Sequence, residues 1–585
     1  MKHLFVFFLF ISVQIFAQTP LKTNPQVAKD PYFNQKSGNP QNPDPVSPEN
    51  KVKVTHYDIL QKTPEKYDGN PFFQGNVRIE HQGSILTADE VVLYEEQSFV
   101  KAIGNVRLQN ADGSVITANE MEYDGKSEKG IARKNVVLTD PKQTIKTETL
   151  YYERPINQAY FNTGGTIYAN NSVTYAKVGT YNVASKVIDI SGNVKINNDQ
   201  YTLEGENIKQ YQNTNTAEIF GFTTIRNKQN PSNYLTTERG TYKMSTKEAF
   251  LTKNSTIFYN GKILTGDELY FNQITGFGKG TGNVLLRDPK ERRFIKGGYG
   301  EIYEKTDSAM ITNKPLAVKI LEKDSLYFGA EKFITTQKLD SPTAVKKKSF
   351  LRAYKKVRVF KTNIQARGDS LSFNETDGIM HLFDKPIAWS GEKQVSGDKI
   401  EGYFDVTNER LDSIKVIGNA MAISKVDSLN MKDEFNQVKG KLMTVYYEDN
   451  ELKDAKVIGN AQAITYADDF NEKTKESERI GITLSSCGII DAVFLEKTIQ
   501  ILTCDIGANM DTYPMSMIEP TRRKFPDFNW NTKDRPRKWQ DVYLDTPSYE
   551  EIKYEADNSL YDKAKEAVDK KQAAEEAKKP KRTRR

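Results

Sequence analysis

The chain has 585 residues, of which 37% are hydrophobic, and its mean hydropathy is −0.65. This composition excludes an integral membrane protein built from helices and allows several ordinary domains or one long repeat array. The 83 basic and 77 acidic residues give a formal net charge of +6, which is too balanced to indicate nucleic-acid binding.

The first 50 residues predict two segments that precede the fold. Residues 1–17 hold a short apolar run after Lys2 and end in a small residue, Ala17, which is typical of a secretory signal peptide. Residues 18–50 are rich in Pro, Asn, Gln and Lys and predict a disordered linker. We therefore expect an exported, soluble protein of the periplasm that can associate with the outer membrane.

A repeated phrase then runs from about Phe72 to about Tyr466. FFQGNVRIEHQGSILTADEVVLYEE is followed after roughly 30 residues by VKAIGNVRLQNADGSVITANEMEYD, and a period of this size indicates a repeat architecture. We assign a first block of repeats to residues 51–337 and a second block to 349–480. Residues 338–348 form an insertion that we predict to be a surface loop.

Apolar and polar residues alternate around the glycine of each recurring Gly-Asn pair. In VKAIGNVRL, Val100, Val106 and Leu108 fall on the side of Gly104, and Arg107 faces the other way. This pattern predicts a half-buried strand. Glycine weakens a strand interior unless the backbone bends there or a neighbour approaches closely, so its recurrence indicates one of these two causes.

In the second motif of each repeat, the alternation of apolar and polar residues shifts by one residue. In VITANEMEY, Ile116 and Ala118 share one parity, whereas Met121 and Tyr123 have the other. A slip of this kind predicts a bulge or corner in the strand.

Two bent strands per unit, with their bends aligned, predict two sheets that face each other across a V. We therefore predict an all-β fold, a long V-shaped trough with an apolar lining. The predicted trough lining comprises Val77, Ile79, Val91, Leu93, Val106, Leu108, Met121, Tyr123, Val194, Ile196, Leu269, Phe271, Leu371 and Phe373.

The end of the chain departs from the repeat. Residues 481–512 contain Cys487 and Cys504, which flank two predicted short strands, and both a disulfide and two buried thiols fit this pattern. Residues 513–547 form an irregular segment rich in Trp, Pro and Arg that can wrap the last repeats. Residues 548–585 predict a charged helical tail that ends in a basic cluster, more typical of a solvated helix than of a docking helix.

The sequence offers little for catalysis, and we predict a protein that is not an enzyme and needs no cofactor or metal. The histidines of the repeat region lie far apart and lack a nucleophile at a recognisable spacing. Acidic pairs such as Asp89-Glu90 recur from unit to unit, which favours a structural role over a glycosidase or lyase site. The apolar lining is compatible with a filled core or with a lipid path, and the recurrent inner small residues favour open space.

The phrases GNVRIEHQGSILTADEVVLY, GNVRLQNADGSVITANEMEY and GKILTGDELYF resemble the OstA/LptA family of periplasmic bridge proteins. The resemblance covers most of the span from Phe72 to Tyr466. It implies a V-shaped β-jelly-roll that carries lipopolysaccharide, through its lipid A part, toward the outer membrane. This chain is several times longer than a minimal bridge module, and nothing after Ser486 matches the C-terminal barrel of the outer-membrane member.

The leading hypothesis is therefore a non-enzymatic lipid carrier that pairs by β-strand edges with inner-membrane and outer-membrane transport components. We expect the inner-membrane edge near Val77 to Glu80 and the far edge at the cysteine hairpin. The alternatives are a structural or adhesive β-repeat protein with a filled core and, less favoured, a carbohydrate-active repeat enzyme.

Overall fold

The computed structural model describes residues 52–543, apart from residue 170 and the ranges 428–430, 449–450, 472–475 and 496–497. The predicted signal peptide, linker and basic tail, and the turn between the cysteine strands, lie outside these residues. Within the described part of the chain there are 38 β-strands and five short 3-10 helices, and no α-helix. None of these helices has the length or apolar character needed to cross a membrane.

The first thirteen strands are β1 (Lys53–His56), β2 (Ile59–Gln61), β3 (Phe72–His81), β4 (Ser84–Tyr94), β5 (Phe99–Gln109), β6 (Val115–Asp124), β7 (Lys129–Thr139), β8 (Thr144–Glu153), β9 (Gln158–Phe161), β10 (Gly165–Ala169), β11 (Ser172–Ala176), β12 (Val178–Asn182) and β13 (Val187–Asn197). The next thirteen are β14 (Tyr201–Tyr211), β15 (Thr216–Asn227), β16 (Tyr234–Lys243), β17 (Glu248–Lys253), β18 (Thr256–Tyr259), β19 (Lys262–Thr265), β20 (Glu268–Asn272), β21 (Phe277–Asp288), β22 (Arg293–Tyr303), β23 (Ser308–Thr312), β24 (Leu316–Ile320), β25 (Ser325–Gly329) and β26 (Lys332–Leu339). The last twelve are β27 (Lys347–Lys361), β28 (Ile364–Asn374), β29 (Ile379–Phe383), β30 (Ile387–Ser390), β31 (Lys393–Ser396), β32 (Lys399–Asp405), β33 (Arg410–Asp427), β34 (Met431–Glu448), β35 (Glu451–Asn471), β36 (Glu476–Leu495), β37 (Thr498–Asp505) and β38 (Asn509–Pro514). The 3-10 helices are Tyr67–Gly69, Arg154–Ile156, Glu304–Thr306, Pro520–Arg523 and Trp539–Val542.

All 38 strands pair antiparallel in one continuous sheet. The predicted all-β fold is confirmed. The open, V-shaped jelly roll stays a prediction. The insertion is short in the structure, since β26 extends to Leu339 and pairs there with Lys347 at the start of β27.

The Gly-Asn pairs mark a bend in the strands. In β5 the register shifts between Ile103 and Val106, and Gly104 and Asn105 have φ values of 76° and 43°. The Asn105 side chain donates a 2.9 Å hydrogen bond to Asp89, the acidic residue of the neighbouring strand. A Cβ on Gly104 would lie 2.4 Å from the Asp89 carboxylate. The repeated acidic residue thus stabilises the bend by accepting a hydrogen bond from its asparagine.

The same arrangement recurs where Asn283 donates to Asp267 and where Asn419 donates to Asp398. The predicted one-residue slip is confirmed, because the register of β6 also shifts between Thr117 and Glu120. The glycines at these bends are explained by backbone geometry and the adjacent carboxylate. Our expectation that they leave room for a ligand is wrong.

Gly104→Ala tests this explanation against Gly113→Ala. Both glycines have positive φ, but a Cβ at Gly113 meets nothing within 4 Å. We expect Gly113→Ala to lower the free energy of unfolding by about 1 kcal/mol through backbone strain alone. Gly104→Ala must in addition displace Asp89, so its loss should be at least about twice as large. Denaturant unfolding measures both, and equal losses would contradict the role given to Asp89.

The bends divide the sheet into two layers. Layer A comprises the strand parts that meet at hairpins such as 81–84, 109–115 and 139–144, and layer B those that meet at hairpins such as 94–99, 124–129 and 153–158. Each short strand lies in one layer only. For example, β10 pairs with residues 144–147 of β8 in layer A, and β9 pairs with residues 151–153 of β8 in layer B. One hydrophobic core cluster contains inward residues of both layers, such as Ala102 from layer B and Val106 from layer A.

The N-terminal edge is not where we expected it. Strand β1 pairs with β3 at Lys53–Glu80 and Val54–Ile79, and β2 pairs with the other half of β3. The prediction of an edge at Val77 to Glu80 is therefore wrong, because the short alternation of β1 gave too weak a signal beside the repeats. The first edge is formed by β1 and β2.

At the far end, β36 pairs with β37 in layer B and with β38 in layer A. A disulfide joins Cys487 at the bend of β36 to Cys504 in β37, across a sequence separation of 17 residues. After β38, residues 515–543 run back across the outer face of layer A. We call this segment the C-terminal strap.

Candidate functional site

The predicted lining residues lie on the inner face of the two layers. Eleven of them are buried: Val77, Ile79, Val91, Val106, Met121, Val194, Ile196, Leu269, Phe271, Leu371 and Phe373. Leu93, Leu108 and Tyr123 are half-buried. The outward positions Arg107 and Lys195 are exposed. Whether the inward residues bind lipid stays a prediction.

An apolar cavity lies between the layers in the first repeats. Its empty volume, including the part open to solvent, is about 860 Å³. Layer A contributes Ile79, Leu86, Leu108 and Ile116, and layer B contributes Val100, Met121, Tyr123, Leu150 and Tyr152. Of the predicted lining, the cavity therefore brings together Ile79, Leu108, Met121 and Tyr123.

Several polar residues also line this cavity, among them His81, Asn110 and Arg154. Arg154 of layer B donates to the side chain of Gln82 and, at 3.3 Å, to its carbonyl oxygen in layer A. His81 lies edge-on to Tyr123, with 6.4 Å between ring centroids. Burial raises the pKa of Tyr123 and of Tyr152, so both phenols are neutral near pH 7. The lining is thus mostly apolar, with Arg154 and Glu122 as its charged members.

The interior beyond the cavity is densely packed. Val194 and Ile196 are 0% and 1% exposed, and Leu371 is 2% exposed. Interiors of this kind leave few voids larger than a water molecule. The central repeats therefore present a filled core in this structure.

Polar contacts join the hairpins of the two layers along the side opposite the bends. We call them mouth contacts. They include Arg154–Gln82, Lys186–Asp140, Asn233–Glu304, Lys262–Asp307, Arg293–Glu375 and Arg292–Glu409. Tyr181 also donates to Asp140, and burial together with this contact raises the tyrosine pKa well above its ordinary value. These contacts hold the layers together where an open trough would be widest.

Two of the mouth contacts are buried ion pairs. The Lys262 ammonium lies 2.5 Å from Asp307, with side-chain exposures of 2% and 7%. Arg293 contacts both Glu375 and Asp288, and Ser349 donates a 3.2 Å hydrogen bond to Glu375. Removing one member of such a cluster leaves a buried charge without compensation and strongly destabilises the folded arrangement.

The cavity presents mainly apolar surface to a ligand. Among the described residues, no group of three or more His, Cys, Asp or Glu side chains is placed to hold a metal ion. Asp89, the first acid of the pair that we had weighed as catalytic, is engaged at a bend. Its partner Glu90 accepts hydrogen bonds from Lys66, Tyr67 and Gln74.

Sequence reasoning missed part of the site. Leu150 and Tyr152 follow the period of two in β8 and could have been included on that basis. The mouth contacts carry no such signal, because Arg293 and Glu375 lie 82 residues apart and meet only through the fold.

The fold and the cavity place the chain among all-β repeat proteins, with an apolar cavity between two layers at its N-terminal end. Residues 49–206, which include the whole cavity, match the family model described as OstA-like protein. This is the family that the repeated phrases resemble.

Other comparisons add no argument. No curated protein matches the chain. A solved structure, the crystal structure of the tricorn protease, aligns over 76% of this chain with 7% identity and a TM-score of 0.08. The alignment spans 62% of the length of that protein, which is less than two thirds. A likeness at this TM-score supports no statement about fold or function.

Proposed function

We propose that the protein binds lipopolysaccharide in the apolar cavity between its layers and carries it between membranes as a non-enzymatic bridge. The observation that supports this most is the cavity itself, because it lies inside the OstA-like region and contains four residues of the predicted lining. OstA-like proteins are β-rich proteins of lipid and lipopolysaccharide transport.

The energetics of the cavity suit an acyl chain. Each methylene transferred from water into an apolar cavity contributes about 0.8 kcal/mol, so binding requires many weak contacts rather than one strong one. Arg154 at the rim offers a cation to an anionic head group. Strands β1 and β2 at one end, and β37 and β38 at the other, offer edges to inner-membrane and outer-membrane partners in the periplasm.

A second function has its own supporting observation. The packed interior around Val194 and Leu371, together with the buried mouth contacts, fits a structural β-repeat protein with a filled core. In that case the cavity would be a local feature of the N-terminal end and no lipid path would run through the array.

Photo-crosslinking distinguishes the two functions. A photoreactive residue is placed at Leu108 in the cavity, at Val194 in the packed interior, and at the outward positions Arg107 and Lys195. Purified protein is offered lipopolysaccharide or vesicles of phospholipid alone. Capture of lipopolysaccharide at Leu108 but not at Arg107 supports the binding site, and added capture at Val194 but not at Lys195 supports a continuous path.

Three outcomes would count against the proposal. Equal capture at inward and outward positions contradicts the cavity as the binding site. Capture of phospholipid alone contradicts the choice of lipid. A folded protein that captures nothing at Leu108 or Val194 favours the filled core.

A further inference from the structure

The C-terminal strap follows a single row of residues on the outer face of layer A. Members of this outer row are direct cross-strand partners, beginning with Ile464–Gln437 and Gln437–Ile423 and continuing to Val318–Phe294. Their parity is opposite to that of the inward core residues. The strap therefore lies on a continuous lateral track rather than on scattered contacts.

Buried glutamines of the outer row hold the strap backbone. The Gln394 side chain donates to the Asn529 carbonyl at 2.6 Å and accepts from the Asn531 amide at 2.9 Å. The Gln437 side chain does the same with the Arg523 carbonyl and the Phe525 amide, each at 2.9 Å. Both pairs involve main-chain groups of the strap, so these contacts depend little on the side chains that the strap carries there.

Apolar residues anchor both ends of the strap. Ile518 packs with Ile464, and Val542 and Tyr543 pack with Val318 and Phe294. The intervening Trp539 stacks on Tyr327 with 5.6 Å between ring centroids. The strap thus advances steadily from the last repeats toward the first block.

The strand register gives the number of strap residues that span each strand-to-strand step. From Ile464 to Phe294 the outer row crosses nine strand-to-strand steps, and the strap covers them with the 25 residues that separate Ile518 from Tyr543. At ~4.8 Å between strands this is about three residues per step.

The outer row itself does not stop at Phe294. It continues through five more paired residues in β21, β19, β18, β16 and β15: Arg287, Ile263, Phe258, Tyr234 and Arg226. The Phe258 and Tyr234 rings stack at 4.2 Å, and the Arg226 guanidinium lies 4.3 Å above the Tyr234 ring. We call these five residues the basic aromatic track.

We propose that the chain beyond Tyr543, over residues 544–557, binds to the basic aromatic track. At about three residues per step, five further steps need roughly 14 residues, which is the length of this segment. The covered part of the outer row carries no charge, whereas the basic aromatic track carries two arginines. The segment 544–557, LDTPSYEEIKYEAD, has the complementary charge, since it holds five carboxylates and one lysine. Its Tyr549, Ile552 and Tyr554 can serve as apolar anchors.

Photo-crosslinking in the full chain tests this. p-Benzoylphenylalanine at Phe258 should yield crosslinked peptides from 544–557, identified by mass spectrometry. The same probe at Tyr327 should capture the strap near Trp539 and serves as the positive control. The probe at Phe250, which is 39% exposed on layer B, should capture neither segment.

Mixing isotopically labelled and unlabelled copies identifies the occupant. Crosslinks within one copy support the proposal, and crosslinks only between copies overturn it in favour of a second molecule. Capture at Tyr327 without capture of 544–557 at Phe258 also overturns it.

Charge reversal provides a second test. Arg226→Glu should reduce the yield at Phe258 at least fivefold, and adding Glu550→Arg with Glu551→Arg should restore it. An unchanged yield in Arg226→Glu would show that the charge match plays no part, and the proposed recognition would be wrong.

Discussion

Leu108→Asp should strongly weaken lipid binding in the cavity while leaving the repeat array folded. Leu108 lies in the cavity wall and is only half-buried, so the new carboxylate can reach the rim in the empty protein. A bound acyl chain would remove that carboxylate from water without supplying a partner. A penalty of about 3 kcal/mol weakens binding roughly 100-fold. Titration with lipopolysaccharide measures the loss.

Gln109→Asp is the matched control for this variant. It introduces the same change of one negative charge at the adjacent, exposed outward position. Binding should change by less than about twofold, because an exposed charge is solvated and screened. If Gln109→Asp weakens binding as much as Leu108→Asp does, the effect arises from overall charge and the cavity is not the binding site.

Arg293→Met should cause one of the largest losses of stability available in the described chain. The Arg293 side chain is 2% exposed, and its partners Glu375 and Asp288 are 0% and 5% exposed. Methionine fills similar space but leaves Asp288 buried without its cation and leaves Glu375 with only Lys319, whose ammonium lies 3.6 Å away. We expect the free energy of unfolding to fall by about 3–5 kcal/mol, as measured by denaturant unfolding.

The neighbouring residue supplies the control. Arg292 pairs with Glu409 at 2.8 Å, but its side chain is 44% exposed. Arg292→Met should cost less than about 1 kcal/mol, because exposed ion pairs contribute little. The triple variant Arg293→Met, Asp288→Asn, Glu375→Gln removes the stranded charges and should recover part of the loss. If Arg293→Met is no more harmful than Arg292→Met, the buried cluster does not hold the layers closed.

Local periodicity made much of this fold predictable. The alternation around Gly104 predicted which residues face inward, because strand side chains point to opposite faces with a period of two. The slip between Ala118 and Met121 predicted the bend for the same reason. The spacing of Cys487 and Cys504 around two short strands is consistent with the disulfide that the structure contains.

The sequence by itself therefore determined the strands, their bends and the two faces of the sheet. Only the tertiary structure decided how far apart the layers lie, and hence that there is a cavity beside Leu108 but a packed core around Val194. That separation depends on summed side-chain volumes and on contacts such as Arg293–Glu375 between distant hairpins, which no local period encodes. The contacts of the outer-row glutamines with the strap were hidden for the same reason, since Gln394 and Asn531 lie 137 positions apart in the sequence and meet only in the fold.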